Sequence, residues 1–208
     1  MRRFPPPRHA RLAYGAQRHR RGTALIELGL IIFPMVLLLF GVTLIGLQLG
    51  QSVRCAQITR DAASMFVRGL DFTLENNQNI LVRLAQGMGM AKSGGQGVMI
   101  FTKVTWVPQA ECSAAGLTPC NGDRHVITQR VVVGNSSLRQ SALGQPDSAE
   151  ANGLVLDYMQ NPTAIANFPY MQLHPGETAY VTEGYFDTPE INFPGYHAEP
   201  GVYTIALY

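Results

Sequence analysis

Five histidines, three cysteines and fourteen acidic residues could bind a metal or move protons in this 208-residue chain, and their spacing argues against both uses. His9, His19, His125, His174 and His197 are dispersed, with no H-E-x-x-H pair. Cys55, Cys112 and Cys120 form no C-x-x-C unit. There is no G-x-S-x-G elbow, and the glycines around Lys92 do not read as a phosphate-binding loop. Asp187, Glu190 and Glu199 cluster in a Pro- and Gly-rich stretch, where solvated loop charges are the ordinary case. No catalytic residue, cofactor or metal ligand is expected, and the chain reads as a non-enzyme.

Two other groupings carry chemistry. Cys112 and Cys120 flank the turn-like Ser-Ala-Ala-Gly-Leu-Thr-Pro and are expected to close a local disulfide in an oxidising compartment, worth about 2–3 kcal/mol. Two reduced thiols are the alternative if this part is cytoplasmic, and Cys55 stays unpaired in both readings. The second grouping is Gly22-Thr23 with Glu27. A protease acting at a membrane face needs an unhindered backbone, which Gly22 supplies. Cleavage after it would put a new α-amine on Thr23. Glu27 lies in the first turns of the apolar segment that follows, favoured there by the helix dipole and costly in lipid without a partner. An amine would be its natural counter-charge, whereas the bland reading is an interfacial glutamate that snorkels to the headgroups.

The element that would position this second grouping is an apolar run. Leu28 to Leu47 contains no charged residue, and about 20 helical residues span about 30 Å, the thickness of a bilayer core. Residues 1–22 carry seven arginines and no acid, out of 16 basic residues in all; the remainder therefore has 9 basic against 14 acidic residues, a formal −5. Arginines flanking a span are retained in the cytoplasm, so the expected topology is a cytoplasmic N-terminus with the C-terminal part outside the inner membrane. The same distribution weakens a nucleic-acid role. A cleaved secretory signal fits less well, because the run is longer than usual and Gln48-Leu-Gly-Gln-Ser-Val-Arg-Cys offers no small-x-small site. Pro34 should bend the helix, and Gly46-x-x-x-Gly50 would permit close helix packing.

The stretch Gly22-Thr-Ala-Leu-Ile-Glu-Leu-Gly-Leu-Ile-Ile-Phe-Pro-Met-Val-Leu-Leu-Leu-Phe-Gly resembles the N-terminal motif of TadE-like pseudopilins, minor pilins of tight-adherence (Flp-type) pilus systems. Pro34, Gly41 and Gly46 fall where that family has Pro, Gly and Gly, and Ile58-Thr-Arg-Asp-Ala-Ala-Ser-Met-Phe-Val-Arg is similar to its Ala-rich helix. The resemblance covers about residues 20–70. One departure is Leu44, where many relatives carry a second glutamate. The resemblance implies processing after Gly22 by a prepilin peptidase and pairing of Glu27 with the Thr23 amine of the same or a neighbouring subunit. It also implies other pilins, an inner-membrane platform protein and an assembly ATPase as partners, besides membrane lipid.

Beyond the membrane, Val53, Ala56, Ala63, Phe66, Val67 and Leu70 recur at helical spacing, predicting one helix from about Ala24 to about Gly69. A further helix is expected over about 74–84, then a glycine-rich linker at 87–97. Strands are expected at 98–107, 125–133, 178–186 and 202–208 from their β-branched and aromatic content. The fold class is α+β and pilin-like, a long helix on a small antiparallel sheet. Its segments are a leader (1–22), a spanning helix (23–50), an amphipathic helical region with linker (51–97) and a β-rich domain (98–208). Residues 135–177 read as an excursion between strands that could carry partner specificity. Phe168, Tyr170, Tyr185, Phe186, Phe193 and Tyr196 form either a contact surface or core. The competing function is an unprocessed single-pass protein with an extracytoplasmic binding domain.

Overall fold

The computed structural model describes residues 20–193 and 195–208. The leader call therefore lies outside the described residues up to position 19. Helix α1 runs Arg20–Val67, its assignment unbroken at Pro34. The chain divides into two units, one ending at Gly46 and the other formed by Leu47–Tyr208.

In the first unit the helix is apolar on every side and almost wholly exposed. Leu25, Leu30 and Phe33 are 71, 75 and 69% accessible, and α1 is the one described helix long and apolar enough to cross a membrane. An exposed helix surface of this length and apolarity is compatible with a membrane anchor.

The second unit is α+β. Its sheet contains β1 (Gly97–Val107), β2 (Arg124–Gly134), β3 (Thr178–Phe186) and β6 (Val202–Leu207) in the order β2-β1-β3-β6, all neighbours antiparallel. Helices α2 (Glu75–Leu84) and α3 (Gln109–Ala115) and a separate hairpin of β4 (Ile191–Phe193) with β5 (Tyr196–Ala198) complete it. The helix α3 and the hairpin were not expected. Residues 51–97 and the sheet share one core within this unit.

One face of the sheet takes the end of α1. Cys55, Ile58, Ala62 and Phe66 are buried against Met99, Phe101, Val131, Val133 and Phe186. Phe72, just past the helix, stacks on Phe101 with ring centroids 4.1 Å apart. The stripe is displaced from the expected one, since Val53 and Val67 face solvent. Small side chains let the helix approach closely. At Gly184 of β3 a Cβ would sit 2.2 Å from Thr59 Oγ1 and 3.0 Å from Met99 Sδ, so no side chain fits there.

The other face is covered by residues 135–177. Because β2 and β3 are both antiparallel to the β1 strand between them, they run parallel, and their connection must cross the sheet. It does so without a long helix, burying Leu143, Val155, Ala164, Ala166, Phe168 and Leu173 over Val104, Ile127, Ala179 and Val181. A bulge between Lys103 and Val104 in the β1–β2 register sends Ile127 to this face, while Val131 and Val133 point to α1. These side chains complete the core on this face, while much of residues 135–177, Leu154 and Leu156 included, faces solvent. Phe168 and Phe186 are buried, and Tyr170 remains exposed.

Gly184→Ala should destabilise the Leu47–Tyr208 unit by about 1–3 kcal/mol through overpacking. Thr59→Ala, which removes the nearest atom, should recover part of that loss in a double-mutant cycle followed by denaturant unfolding of the detergent-solubilised chain; strictly additive effects would contradict the contact.

Candidate functional site

The candidate processing residues lie at the beginning of α1. Gly22 and Thr23 are in its first turns, so the peptide between them is helical in the uncleaved chain. Thr23 and Glu27 are four residues apart, which places them on one side of the helix, and Glu27 is exposed. The structure therefore brings Thr23 and Glu27 onto one face, next to the apolar surface that follows.

The packing residues lie further along the same helix. Pro34 sits where the helix has an exposed apolar surface, with Phe33 and Met35 both open. Farther on, Thr43 returns its hydroxyl to the Leu39 carbonyl at 2.8 Å. A Cβ at Gly46 or at Gly50 would meet nothing within 4 Å, so both positions have room for an approaching surface. Gly41 is the buried glycine of the run.

Cys112 and Cys120 are joined by a disulfide with Cα atoms 5.9 Å apart. The first half of the segment between them is not a turn. Cys112 belongs to α3, whose N-terminal backbone is held by Asp123, with Gln109 N donating to Asp123 Oδ1 at 3.0 Å. Gly116 ends the helix at φ +64°, a left-handed cap suited to glycine. Cys112 packs with Val107 and Val126, so the disulfide ties α3 to the end of the sheet.

Two polar groups that sequence reasoning missed lie under the crossover. Glu183 is 2% exposed; its Oε1 accepts from Ala142 N at 2.9 Å and Tyr203 Oη at 2.7 Å, and its Oε2 from the Ser141 hydroxyl. Arg139 lies over the Tyr203 ring at 3.9 Å. Burial, reinforced by the Glu183 carboxylate, pushes the Tyr203 phenol well above its usual range. Arg130, also buried, has its guanidinium pulled down to about 10 by burial, opposed by the attraction of Glu183. The buried Glu183 carboxyl, with three donors on it, anchors Ser141 and Ala142 of the crossover to the sheet. The signal in the sequence was a charge in the middle of an otherwise uncharged, β-branched strand.

A surface cleft of about 610 Å³ opens between Gln51 and Arg54 of α1, Met88, and the Asp187–Glu190 segment. Its acids do not gather into a metal site, and among the described residues no group of three or more potential ligands exists. Glu190, one of the lining residues, lies 3.5 Å from His197. No known protein family, curated protein or solved structure matches the chain.

Cys55 is the one free thiol among the described residues. Its Sγ lies 3.8 Å from the carbonyl oxygens of both Gly184 and Val202. Burial raises its pKa to about 11, with the Thr59 hydroxyl acting weakly the other way. The folded state therefore prefers the neutral thiol, whose contribution is complete below the unfolded value near 9 and is lost as pH rises toward 11. Unfolding free energy should fall between pH 9 and 11, and less steeply in Cys55→Ala; equal slopes in urea melts across that range would refute the assignment.

Proposed function

We propose that the protein is a prepilin-type minor pilin or pseudopilin of the TadE-like kind, processed after Gly22 and taking part in assembly of a tight-adherence pilus or a related secretion filament. The observation that carries this reading is the exposed apolar helix that begins at the Arg-Arg-Gly-Thr segment and holds Glu27 on the same face as Thr23. A simple anchor requires the apolar length alone. It requires neither a glycine at the membrane edge nor an acid within the first turns of the helix.

In this reading the arginine-rich leader keeps the N-terminus cytoplasmic and the Leu47–Tyr208 unit lies outside the inner membrane, where the Cys112–Cys120 disulfide is stable. The prepilin peptidase removes the leader, and the new Thr23 amine neutralises Glu27 once lipid is replaced by neighbouring helices. Other pilins supply those helices, and an inner-membrane platform and a cytoplasmic ATPase supply the work of extraction. The chain itself performs no catalysis and holds no cofactor.

Gly22→Val should block leader removal in cells that contain the peptidase, leaving a larger membrane-bound form. Glu27→Gln should leave cleavage intact and lower the fraction recovered in sheared filaments by about tenfold or more, since a buried amine would lose its counter-charge. Unchanged size, location and surface phenotype in Gly22→Val would instead favour an unprocessed single-pass protein with an extracytoplasmic binding domain.

A further inference from the structure

The cleft beside α1 sits at a defined height on the helix. The apolar run ends at Leu47, the first residue of the unit that holds the cleft, and Gln51 and Arg54 follow about 6 and about 10 Å farther along the axis. A bilayer carries about 5–7 Å of headgroup layer on each side of its hydrocarbon. Gln51 therefore lies at headgroup level. Arg54 follows one turn above it, with a side chain long enough to reach down, since helical side chains lean toward the N-terminus. The sheet agrees with this height. Along α1 from its far end, Phe66 meets Tyr180 with ring centroids 5.4 Å apart, Cys55 meets Gly184 and Val202, and Gln51 and Arg54 share the cleft with Asp187–Glu190. β3 thus runs toward the membrane end of the unit, and the segment after it forms a wall of the cleft.

The charges in the cleft are opposite and unpaired. Among the described residues the Arg54 guanidinium and the Asp187 carboxylate have no ion-pair or hydrogen-bond partner, and Glu190 has only His197, at 3.5 Å. Arg54 and the two acids line one cavity of about 610 Å³ yet form no ion pair with one another. A ligand that fits between them carries an anion for Arg54 and a cation for Asp187 and Glu190 on one short frame. One base against two acids gives the lining a formal −1, so a headgroup of net negative charge is repelled. No aromatic residue lines the cavity, so a quaternary ammonium lacks the cage that usually holds it. A primary ammonium instead offers three N–H donors to the carboxylates. Phosphate and primary amine together are the phosphoethanolamine headgroup.

We propose that this cleft binds the headgroup of an ethanolamine phospholipid from the leaflet that faces the Leu47–Tyr208 unit, with its phosphate at Arg54 and its ammonium at Asp187 and Glu190. The proposal rests on α1 crossing a membrane and not on processing at Gly22.

Full-length protein reconstituted into vesicles of equal parts ethanolamine, choline and glycerol phospholipid, floated and then released for native mass spectrometry, reads which lipid stays bound. The wild type should retain the ethanolamine lipid about tenfold over either of the others, the equivalent of one charge-assisted hydrogen bond. Arg54→Gln should remove the retained ethanolamine lipid, and Asp187→Asn/Glu190→Gln should reverse the preference toward the glycerol lipid. All three positions are exposed, so the variants should fold, which the Cys112–Cys120 disulfide reports. Soluble phosphoethanolamine at the lipid's own concentration should leave the enrichment unchanged; displacement would place the ligand in solution and overturn the lipid assignment. Equal retention of the three lipids by the wild type, or a preference that survives both variants, would overturn the proposal and leave the anchor intact. Protein that does not float with the vesicles would remove the anchor and the proposal with it.

Discussion

The close approach of a helix to a strand at one glycine is the constraint on which the Leu47–Tyr208 unit depends. At Gly184 the backbone of β3 takes Thr59 against it and offers its carbonyl to Cys55, and a side chain there would push the helix off the sheet. The consequence extends along the helix, because Ile58, Ala62 and Phe66 reach the Met99, Phe101 and Phe186 layer only when this crossing is tight. Phe66 and Phe72 then close an aromatic group with Phe101 that seals the end of the helix.

The neighbouring residue controls the opposite face. Successive strand residues point to opposite sides, so Glu183 projects away from α1 into the crossover that links β2 to β3. A crossover without a long helix has few backbone bonds of its own, and the buried carboxylate supplies fixed acceptors for Ser141 and Ala142 at the point where the chain turns over the sheet. Two adjacent residues of one strand thus fix both covering layers. One does so by lacking a side chain and the other by burying a charged one.

Much of this architecture was legible in the sequence because it rests on local pattern. The four main strands follow β-branched runs separated by Pro and Gly, and the end of α1 follows helical spacing. What was not legible depends on tertiary context. Val53 and Val67 looked like part of the buried stripe, yet the glycine on β3 selects the smaller Cys55 and Thr59 face instead. The β4–β5 hairpin has strands too short to show alternation, and α3 was hidden by reading the Cys112–Cys120 segment as a turn. Glu183 and Arg130 become a site only when the crossover closes over them. At the candidate processing site the balance is reversed. Gly22, Thr23 and Glu27 were singled out by type, spacing and the family resemblance, and the structure adds the helical placement and the exposed apolar surface beyond them.

The functional account rests on whether the chain is cut between Gly22 and Thr23. Intact-mass and N-terminal peptide spectrometry of the membrane-extracted protein, expressed with and without a prepilin peptidase, measures this directly. The account predicts a terminus at Thr23 that appears only when the peptidase is present. A leader that stays intact in both samples would contradict it.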